Sequence, residues 1–349
     1  MTGLLRTILL FPWWTATLAT GAKSFADHPL IGSRRLNEAG LHVARVRAAQ
    51  ALARRRRAAM SAQVRPDDRA AFDRDGFVVR RNFLPAPMFA RLRDGLEAWR
   101  GPARDMRQGD AVTRRFALDP AILAAVPELR ALLRHPEWQG LIRYVSSFDA
   151  EPVCYVQTIL ARCAGAEGAP APRGDPQLRL HADAFQPSAK AWLFLDDVPE
   201  DEGPLTYVPG SHRPTAERLA WEKRMSLAAR GAERLTARGS FRVSEEDLFE
   251  MRLPPARRFA VPANTLVVAD TFGFHARGPS VRPSRRTEIW AYSRRNPFLP
   301  FALPDPGGLA AIRERRVTAY WKGRDVLARW IGQPWRPAGA RSPFDMEPS

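Results

Sequence analysis

The sequence predicts an α+β protein whose second half is a β-sandwich or a jelly-roll barrel with helices packed on one side. Helical periodicity dominates residues 66–147, and short strands separated by Gly and Pro turns dominate residues 151–293. Many short strands with such turns are typical of sandwiches and jelly rolls. We therefore expect one main domain, preceded by a basic N-terminal appendage.

The N-terminal segment, residues 1–66, carries much of the charge. It has eleven Lys or Arg residues against two acidic ones, in a chain of net charge +17. Such an excess favours an anionic partner: a phospholipid surface, a nucleic acid or an acidic substrate. Trp13 and Trp14 in an uncharged stretch, followed by the run Arg54 to Arg57, favour an anionic membrane surface. The alternatives are a partly disordered basic tail, or a helix packed on the domain with a solvated Arg face.

The apolar runs and the cysteines of the sequence indicate the cellular compartment. No run reaches the roughly 20 apolar residues that span a bilayer. Cys154 and Cys163 are the only cysteines, so we expect a reducing cytosolic compartment, with the protein at most peripheral on the inner face of the membrane. Both cysteines are expected to be core residues. Nucleic acid is not the expected partner, because the barrel region shows no basic groove interleaved with aromatic residues.

Several elements have sharp boundaries in the sequence. A short helix capped by Asp67 or Asp68 ends at Gly76, and a strand follows. Pro85 and Pro87 open a helix with an apolar stripe at helical spacing, and residues 119–147 predict two helices broken at Pro136. Residues 213–255 form a long, mostly helical insertion among the strands. The apolar stripe consists of Met88, Leu92, Leu96 and Trp99.

The stretch LHADAFQP, residues 180–187, carries the first candidate ligands. It reads as a buried strand, and a period of two places His181 and Asp183 on the same inward face. Two buried polar groups cost several kcal/mol unless something satisfies them. A metal ion would satisfy both.

A third ligand lies further along the chain. His275 ends a predicted strand, and Arg285 and Arg286 begin the next one. Two histidines and one carboxylate from facing strands form the 2-His-1-carboxylate facial triad, which leaves coordination positions of a ferrous ion open. Those open positions suit oxygen chemistry.

These motifs together resemble the phytanoyl-CoA dioxygenase family of iron(II)- and 2-oxoglutarate-dependent oxygenases. The resemblance runs from about residue 67 to 298. It comprises FDRDGFVV at Phe72 to Val79, the His-x-Asp at His181, GPLTYVPGSH at Gly203 to His212, and a distal His with a following Arg. It implies a double-stranded β-helix (jelly-roll) core that holds iron, with 2-oxoglutarate and O2 as cosubstrates.

Carried over residue by residue, the resemblance makes His181, Asp183 and His275 the iron ligands. The arginine for the far carboxylate of 2-oxoglutarate corresponds to Arg286, eleven residues after His275. Arg285 is the rival by strand alternation. Gln157 resembles a glutamine that contacts the cosubstrate, and a strand polar group bonded locally is its alternative. Three further residues close to the ligands in sequence could line the pocket: Phe185, Lys190 and Trp192.

Relatives that halogenate have a small residue in place of the carboxylate ligand, whereas this chain has Asp183. The expected activity is therefore hydroxylation of an unactivated C–H bond. The first choice of substrate is a lipid or an acyl group. A small amino acid or secondary metabolite, and a non-catalytic basic membrane-associated module, are the alternatives. We place the catalytic domain at residues 67–300 and a C-terminal extension at 301–349.

Overall fold

The structure is a computed structural model that describes residues 2–161, 174–300 and 305–347. Within these ranges helices dominate the first 146 residues, and the strands that hold the site follow. The helices are α1 (Thr2–Leu18), α2 (Arg34–Glu38), α3 (Leu41–Ala59), α4 (Pro66–Asp75), α5 (Ala86–Ala98), α6 (Pro120–Ala125), α7 (Pro127–Arg134), α8 (Pro136–Ser146), α9 (Ala216–Ala228), α10 (Arg234–Ala237), α11 (Glu245–Glu250), α12 (Ala310–Arg313), α13 (Arg316–Val326) and α14 (Ala328–Ile331).

The strands are β1 (Phe77–Arg80), β2 (Gly101–Gln108), β3 (Ala111–Ala117), β4 (Val153–Ala161), β5 (Ala189–Phe194), β6 (Leu205–Tyr207), β7 (Arg257–Arg258), β8 (Thr265–Asp270), β9 (His275–Arg277), β10 (Ser284–Ser293) and β11 (Arg336–Arg341). They form two antiparallel sheets. The large sheet has the order β1-β8-β5-β10-β4-β3-β2-β11, and the small sheet has the order β7-β6-β9. The predicted α+β jelly-roll class is confirmed.

Each face of the large sheet packs on a different partner. On β10, Ile289 and Ala291 face the helical layer, where they join Leu92 of α5 and Trp138 of α8 in one apolar cluster. Trp290, between them, faces the small sheet. This alternation follows from the two-residue period of a strand. The site lies on the face that looks toward the small sheet.

Several predicted boundaries agree with the structure. Gly76 ends α4 with a φ of +85°, a conformation that favours glycine. Residues 120–146 contain three helices rather than two, because Pro127 begins α7 in addition to the expected break at Pro136. The insertion at residues 213–255 contains α9, α10 and α11. Strands β2, β3 and β11 have no counterpart in the sequence-based prediction.

The segment LHADAFQP is not a regular strand, which corrects the prediction. His181 forms isolated bridges with His275 and Arg242, and the residues after it are irregular. His275 begins β9 rather than ending a strand. Backbone bonds nonetheless hold the segment, since the His181 N–H donates to the carbonyl of His275 and the Asp183 N–H to that of Thr271.

The N-terminal segment packs against the rest of the protein through α3. The Arg56 guanidinium donates to the carbonyls of Ser147 and Pro297, and the Arg57 guanidinium donates to Asp270 Oδ2 at 3.1 Å. Both arginines are buried, whereas Arg54 and Arg55 are exposed. This matches the alternative of a packed helix with a solvated Arg face. The buried half of the Arg run is not available to a lipid surface.

The other predictions for the chain ends have mixed outcomes. None of the described helices is both long and apolar enough to cross a membrane. Cys154 is a free, buried cysteine, as expected. Cys163 lies outside the described residues. The C-terminal extension contributes β11, which pairs with β2, so it continues the large sheet.

Candidate metal centre and cavity

The structure brings the three predicted iron ligands together. One ligand atom from each of His181, Asp183 and His275 can be chosen so that all lie within 4.8 Å of one another. His181 Nε2 and His275 Nε2 are each 3.7 Å from Asp183 Oδ1. The two imidazole rings are tilted, with their centroids 4.6 Å apart. The donor set fits a divalent metal ion of the facial-triad type.

Backbone carbonyls fix which nitrogen of each imidazole faces the site. His181 Nδ1 lies 2.8 Å from the carbonyl oxygen of Arg179, and His275 Nδ1 lies 3.0 Å from that of Gly273. An N–H at Nδ1 donates to each carbonyl, so Nε2 is the unprotonated ligand atom. Such an orienting bond is the usual support of a metal-binding histidine.

Burial and mutual repulsion keep both imidazoles neutral. Burial lowers the pKa of His275 to about 4, and burial together with His275 lowers the pKa of His181 well below its usual value. Burial alone would raise the pKa of Asp183, but Lys190 and the two histidines more than offset this, and the pKa lies well below its usual value. The site thus presents two neutral nitrogens and one carboxylate, the protonation state that a metal requires.

Lys190 is the cation paired with the Asp183 carboxylate. Its Nζ lies 2.6 Å from Asp183 Oδ2 and 3.4 Å from His275 Nε2. Lys190 and Trp192 both line the cavity beside the triad, as the sequence suggested. Phe185 does not; it stacks against Phe298 and lies under the Arg45 guanidinium.

A cavity of about 760 Å³ opens beside the triad, a volume within the range of small-molecule sites. Asp183 and His275 lie on its wall together with Arg286 and Gln157. Its lining extends beyond residues 67–300, the predicted catalytic domain. Lys23 comes from the N-terminal segment, and the C-terminal extension contributes Arg316, Val317, Tyr320, Trp321 and Trp335.

The side chains of Arg285 and Arg286 lie on opposite faces of strand β10. Arg286 is on the inner face, 7% exposed, and its Nε donates to Glu288 Oε2 at 3.0 Å. Arg285 is on the opposite face, where it donates to the carbonyl of Phe344 and faces the Asp196 carboxylate. Of the two rivals, only Arg286 lines the cavity.

Gln157 belongs to a chain of hydrogen bonds around Arg286. Its Oε1 accepts from Arg115 Nε at 2.7 Å, and its Nε2 donates to Glu288 Oε1 at 2.6 Å. Glu288 is fully buried between Gln157 and Arg286. Both ends of the Gln157 amide therefore have protein partners, as expected for its alternative role as a locally bonded strand residue.

Three guanidiniums meet in this corner of the cavity, those of Arg115, Arg277 and Arg286. Glu288 and Asp175 lie among them, and Arg277 Nη1 donates to Asp175 at 2.8 Å. Asp110 acts on Arg277 as well, so the carboxylates balance the guanidiniums in number. The corner offers a further carboxylate the N–H donors of these guanidiniums.

Sequence reasoning missed Glu288, Arg115 and Lys23. Glu288 follows Arg286 by two residues, so strand alternation places both on one face and would have indicated the pair. For Lys23 and Arg115, which lie 158 and 66 residues before His181, nothing local in the sequence points to the site.

The fold and the triad define the class of jelly-roll proteins with a 2-His-1-carboxylate metal centre. Residues 72–239 match the family described as phytanoyl-CoA dioxygenase. The resemblance to this iron- and 2-oxoglutarate-dependent family, predicted from the sequence, is therefore confirmed over these residues. The comparison with curated proteins gave no significant match.

Solved structures with partial similarity include three enzymes of known reaction class or ligand. The epimerase SnoN from nogalamycin biosynthesis, in complex with Fe3+, alpha ketoglutarate and nogalamycin RO, is 19% identical over 72% of this chain and 92% of its own, with a TM-score of 0.42. The carbocyclase SnoK is 18% identical over 78% and 96%, with a TM-score of 0.42. HygX from Streptomyces hygroscopicus, with nickel and 2-oxoglutarate bound, is 16% identical over 66% and 87%, with a TM-score of 0.41. At these scores we draw nothing from them about reaction or substrate.

Proposed function

We propose that the protein is an iron(II)- and 2-oxoglutarate-dependent dioxygenase that hydroxylates an unactivated C–H bond of a lipid or acyl substrate. The convergence of His181, Asp183 and His275 beside the cavity carries this proposal. The family match over residues 72–239 supports the cofactor class. Hydroxylation is favoured because Asp183 supplies the carboxylate ligand.

Three side chains would hold the iron: His181 through Nε2, His275 through Nε2, and Asp183 through its carboxylate. Bound iron with 2-oxoglutarate would supply the activation of O2, with the cosubstrate as the source of two electrons. The protein's own part is to hold these ligands rigidly. The carbonyls of Arg179 and Gly273 orient the imidazoles, and the Thr271 carbonyl accepts from the Asp183 N–H.

Arg286 is the proposed partner of the far carboxylate of 2-oxoglutarate. A guanidinium forms two parallel charge-assisted bonds with a carboxylate, which Lys cannot do. Arg286 lines the cavity, where its guanidinium would donate to that carboxylate. Gln157 would act through Glu288, which fixes the Arg286 guanidinium, rather than by touching the cosubstrate.

The cavity also favours a small-molecule substrate as a second candidate. About half of its lining residues are aromatic or aliphatic and the others are polar or charged, a mixture that suits a small molecule with both apolar and polar groups. A hydroxylase of a small amino acid or secondary metabolite would use the same triad and the same Arg286. Oxidised products in extracts of cells with and without the protein would separate the two candidates by their size and polarity.

Membrane-surface association through the N-terminal segment stays a proposal with narrower support. In α1, Phe11 and Trp13 are 52% and 65% exposed, which suits contact with a headgroup region. A truncation before residue 66 would remove Arg57 from Asp270, so the test uses Phe11→Ser combined with Trp13→Ser in the full chain. Co-sedimentation with vesicles of anionic phosphatidylglycerol should fall in this variant. Equal binding by both proteins would remove the proposal.

The activity is tested by succinate release from 2-oxoglutarate, with iron(II) and O2 present. The wild-type protein should release succinate in an iron-dependent manner even without prime substrate, at a low uncoupled rate. His181→Ala should abolish this release. His135→Gln is the control, because the His135 ring contacts Phe83 away from the triad, and it should retain the release. Succinate release that survives His181→Ala would refute the proposed function.

A further inference from the structure

Lys23 and Arg294 are two of the cations that line the cavity, and the mechanism above uses neither. Lys23 Nζ donates to the backbone carbonyl of Asp183 at 2.5 Å and to that of Gly239 at 3.4 Å. Arg294, at the end of β10, has its guanidinium over the Tyr292 ring and is exposed at the rim. Among the described residues, neither cation has a carboxylate partner within ion-pair distance.

The chain fixes Lys23 in place through an extended set of contacts. The Arg45 guanidinium, buried in α3, donates to the carbonyls of Leu18, Thr20 and Ala22, the residues just before Lys23. On the other side, the N–H groups of Phe25 and Ala26 donate to the carbonyl of Ala237 in α10. This stretch, residues 18–26, is a strap held at both ends.

Gly239 shows how closely the strap approaches the insertion. It has a φ of +79°, and a Cβ at this position would lie 2.2 Å from the backbone oxygen of Lys23. Any side chain at residue 239 would push the strap away from the cavity. The backbone is thus shaped to bring Lys23 next to the metal ligand Asp183.

Aromatic side chains form another part of the cavity wall. Tyr155, Trp290 and Tyr292 come from the large sheet, with the rings of Trp290 and Tyr292 stacked at an interplanar angle of 6°. Trp321 packs against Tyr155 with ring centroids 5.9 Å apart. The Arg294 guanidinium lies over the Tyr292 ring, so this cation adjoins the aromatic wall, which the C-terminal extension completes.

We propose that Lys23 and Arg294 bind the anionic group of the substrate, a carboxylate or a phosphate, while its apolar body lies against the aromatic wall. This inference rests on the proposed function, because it takes the cavity beside the triad as the substrate site. It narrows the substrate class to amphipathic anions. It also explains why a strap outside the family-matched residues 72–239 reaches the metal centre.

The test measures binding of three probes that share one apolar chain: dodecanoate, dodecyl phosphate and dodecan-1-ol, all below their micelle concentrations. The full-length protein is loaded with Ni(II) and 2-oxoglutarate, which fill the metal and cosubstrate sites without turnover. Tryptophan fluorescence reports binding, since four tryptophans line the cavity: Trp192, Trp290, Trp321 and Trp335.

We expect at least one anion to bind about tenfold or more tightly than the alcohol, the scale of one charge-assisted hydrogen bond. The stronger of the two anions identifies the headgroup as carboxylate or phosphate. Lys23→Met should remove this preference, and Arg294→Met, at an exposed position, should reduce it. Lys322→Met, an exposed lysine of α13, is the matched control and should retain it.

Four results would overturn the inference: no binding of any probe, equal binding of alcohol and anions, an unchanged preference in Lys23→Met and Arg294→Met, or weaker 2-oxoglutarate binding in Lys23→Met with the probes unaffected. The last result would assign Lys23 to the cosubstrate. Succinate release is measured on portions of the same protein preparations loaded with iron(II) instead of Ni(II). If the wild-type protein releases no succinate but keeps its preference for anions, the proposed function is refuted and the anion site stands.

Discussion

Arg286 and Glu288, two residues apart on β10, form an ion pair inside the protein, with Arg286 Nε 3.0 Å from Glu288 Oε2. Glu288 has no exposed side-chain surface, and its other oxygen accepts from Gln157. Removing one partner of a buried ion pair lowers the free energy of unfolding by far more than the intact pair contributes, because the other charge is left buried alone. We propose that Glu288 positions the Arg286 guanidinium for an incoming carboxylate.

Glu288→Gln should therefore destabilise the protein by about 1–3 kcal/mol, because the buried Arg286 guanidinium loses its charged acceptor. Urea unfolding at neutral pH measures this change. Glu38→Gln is the control, since Glu38 is half exposed in its pair with Arg34 and should change the free energy of unfolding by less than about 0.5 kcal/mol. Equal effects in the two variants would show that the Arg286–Glu288 pair is not structurally important.

Arg286→Lys should raise the KM for 2-oxoglutarate by about tenfold or more, because Lys cannot form the two parallel bonds of a guanidinium. Arg285→Lys is the matched control from the neighbouring position on the other face of β10, and it should leave this KM unchanged. Steady-state succinate release gives both values. The reverse pattern would assign the cosubstrate to Arg285.

Arg57→Met should destabilise the protein by about 3–5 kcal/mol, because Asp270 would remain buried without its cation. Burial already raises the pKa of Asp270, and Arg57 works against that rise. Arg55→Met, two residues earlier and exposed, should stay within about 0.5 kcal/mol of the wild type. Chemical unfolding of both variants compares them, and a small effect of Arg57→Met would mean that α3 does not stabilise the barrel.

His212 should make stability depend on pH. Burial, with the nearby Arg57 and Arg213, lowers its pKa from 6.5 to about 3. The folded state keeps His212 neutral while the unfolded chain binds a proton below about pH 6.5, so stability falls as the pH falls through this window. Each such proton contributes a slope of up to about 1.4 kcal/mol per pH unit.

His212→Gln should flatten the stability profile by this slope. Unfolding free energies between about pH 6.5 and pH 5 are the relevant measurement, because few carboxylates titrate in that interval. The ring packs at 5.2 Å from Phe72, so some loss of absolute stability is expected at every pH. Parallel profiles for the two proteins would contradict the role given to His212.

The triad could be predicted from the sequence because its chemistry is local. His181 and Asp183 are two residues apart, and His275 and Arg286 have a fixed spacing on the chain. The expected regular strand at residues 180–187 was wrong, but the three side chains do lie close together. Bridges to β9 and Arg242 hold the segment instead of a continuous ladder, and these depend on tertiary contacts.

The strap and the C-terminal wall could not be predicted, because long-range packing creates them. Arg45 resembles the other basic residues of the N-terminal segment in sequence, and only the fold shows that it binds three carbonyls of the strap. Trp321 and Trp335 likewise contact residues far away in the chain, since Trp321 packs on Tyr155 and Trp335 lies under the Arg115 guanidinium. Their contact with the cavity arises because β11 pairs with β2 at the edge of the large sheet.

Titration of the metal-free protein with iron(II) under anaerobic conditions tests the central claim most directly. The account predicts one tightly bound ion per chain in the wild type, and loss of that ion in Asp183→Ala and in His275→Ala. Binding of no stoichiometric ion by the wild type, or retention of the ion by both variants, would contradict it.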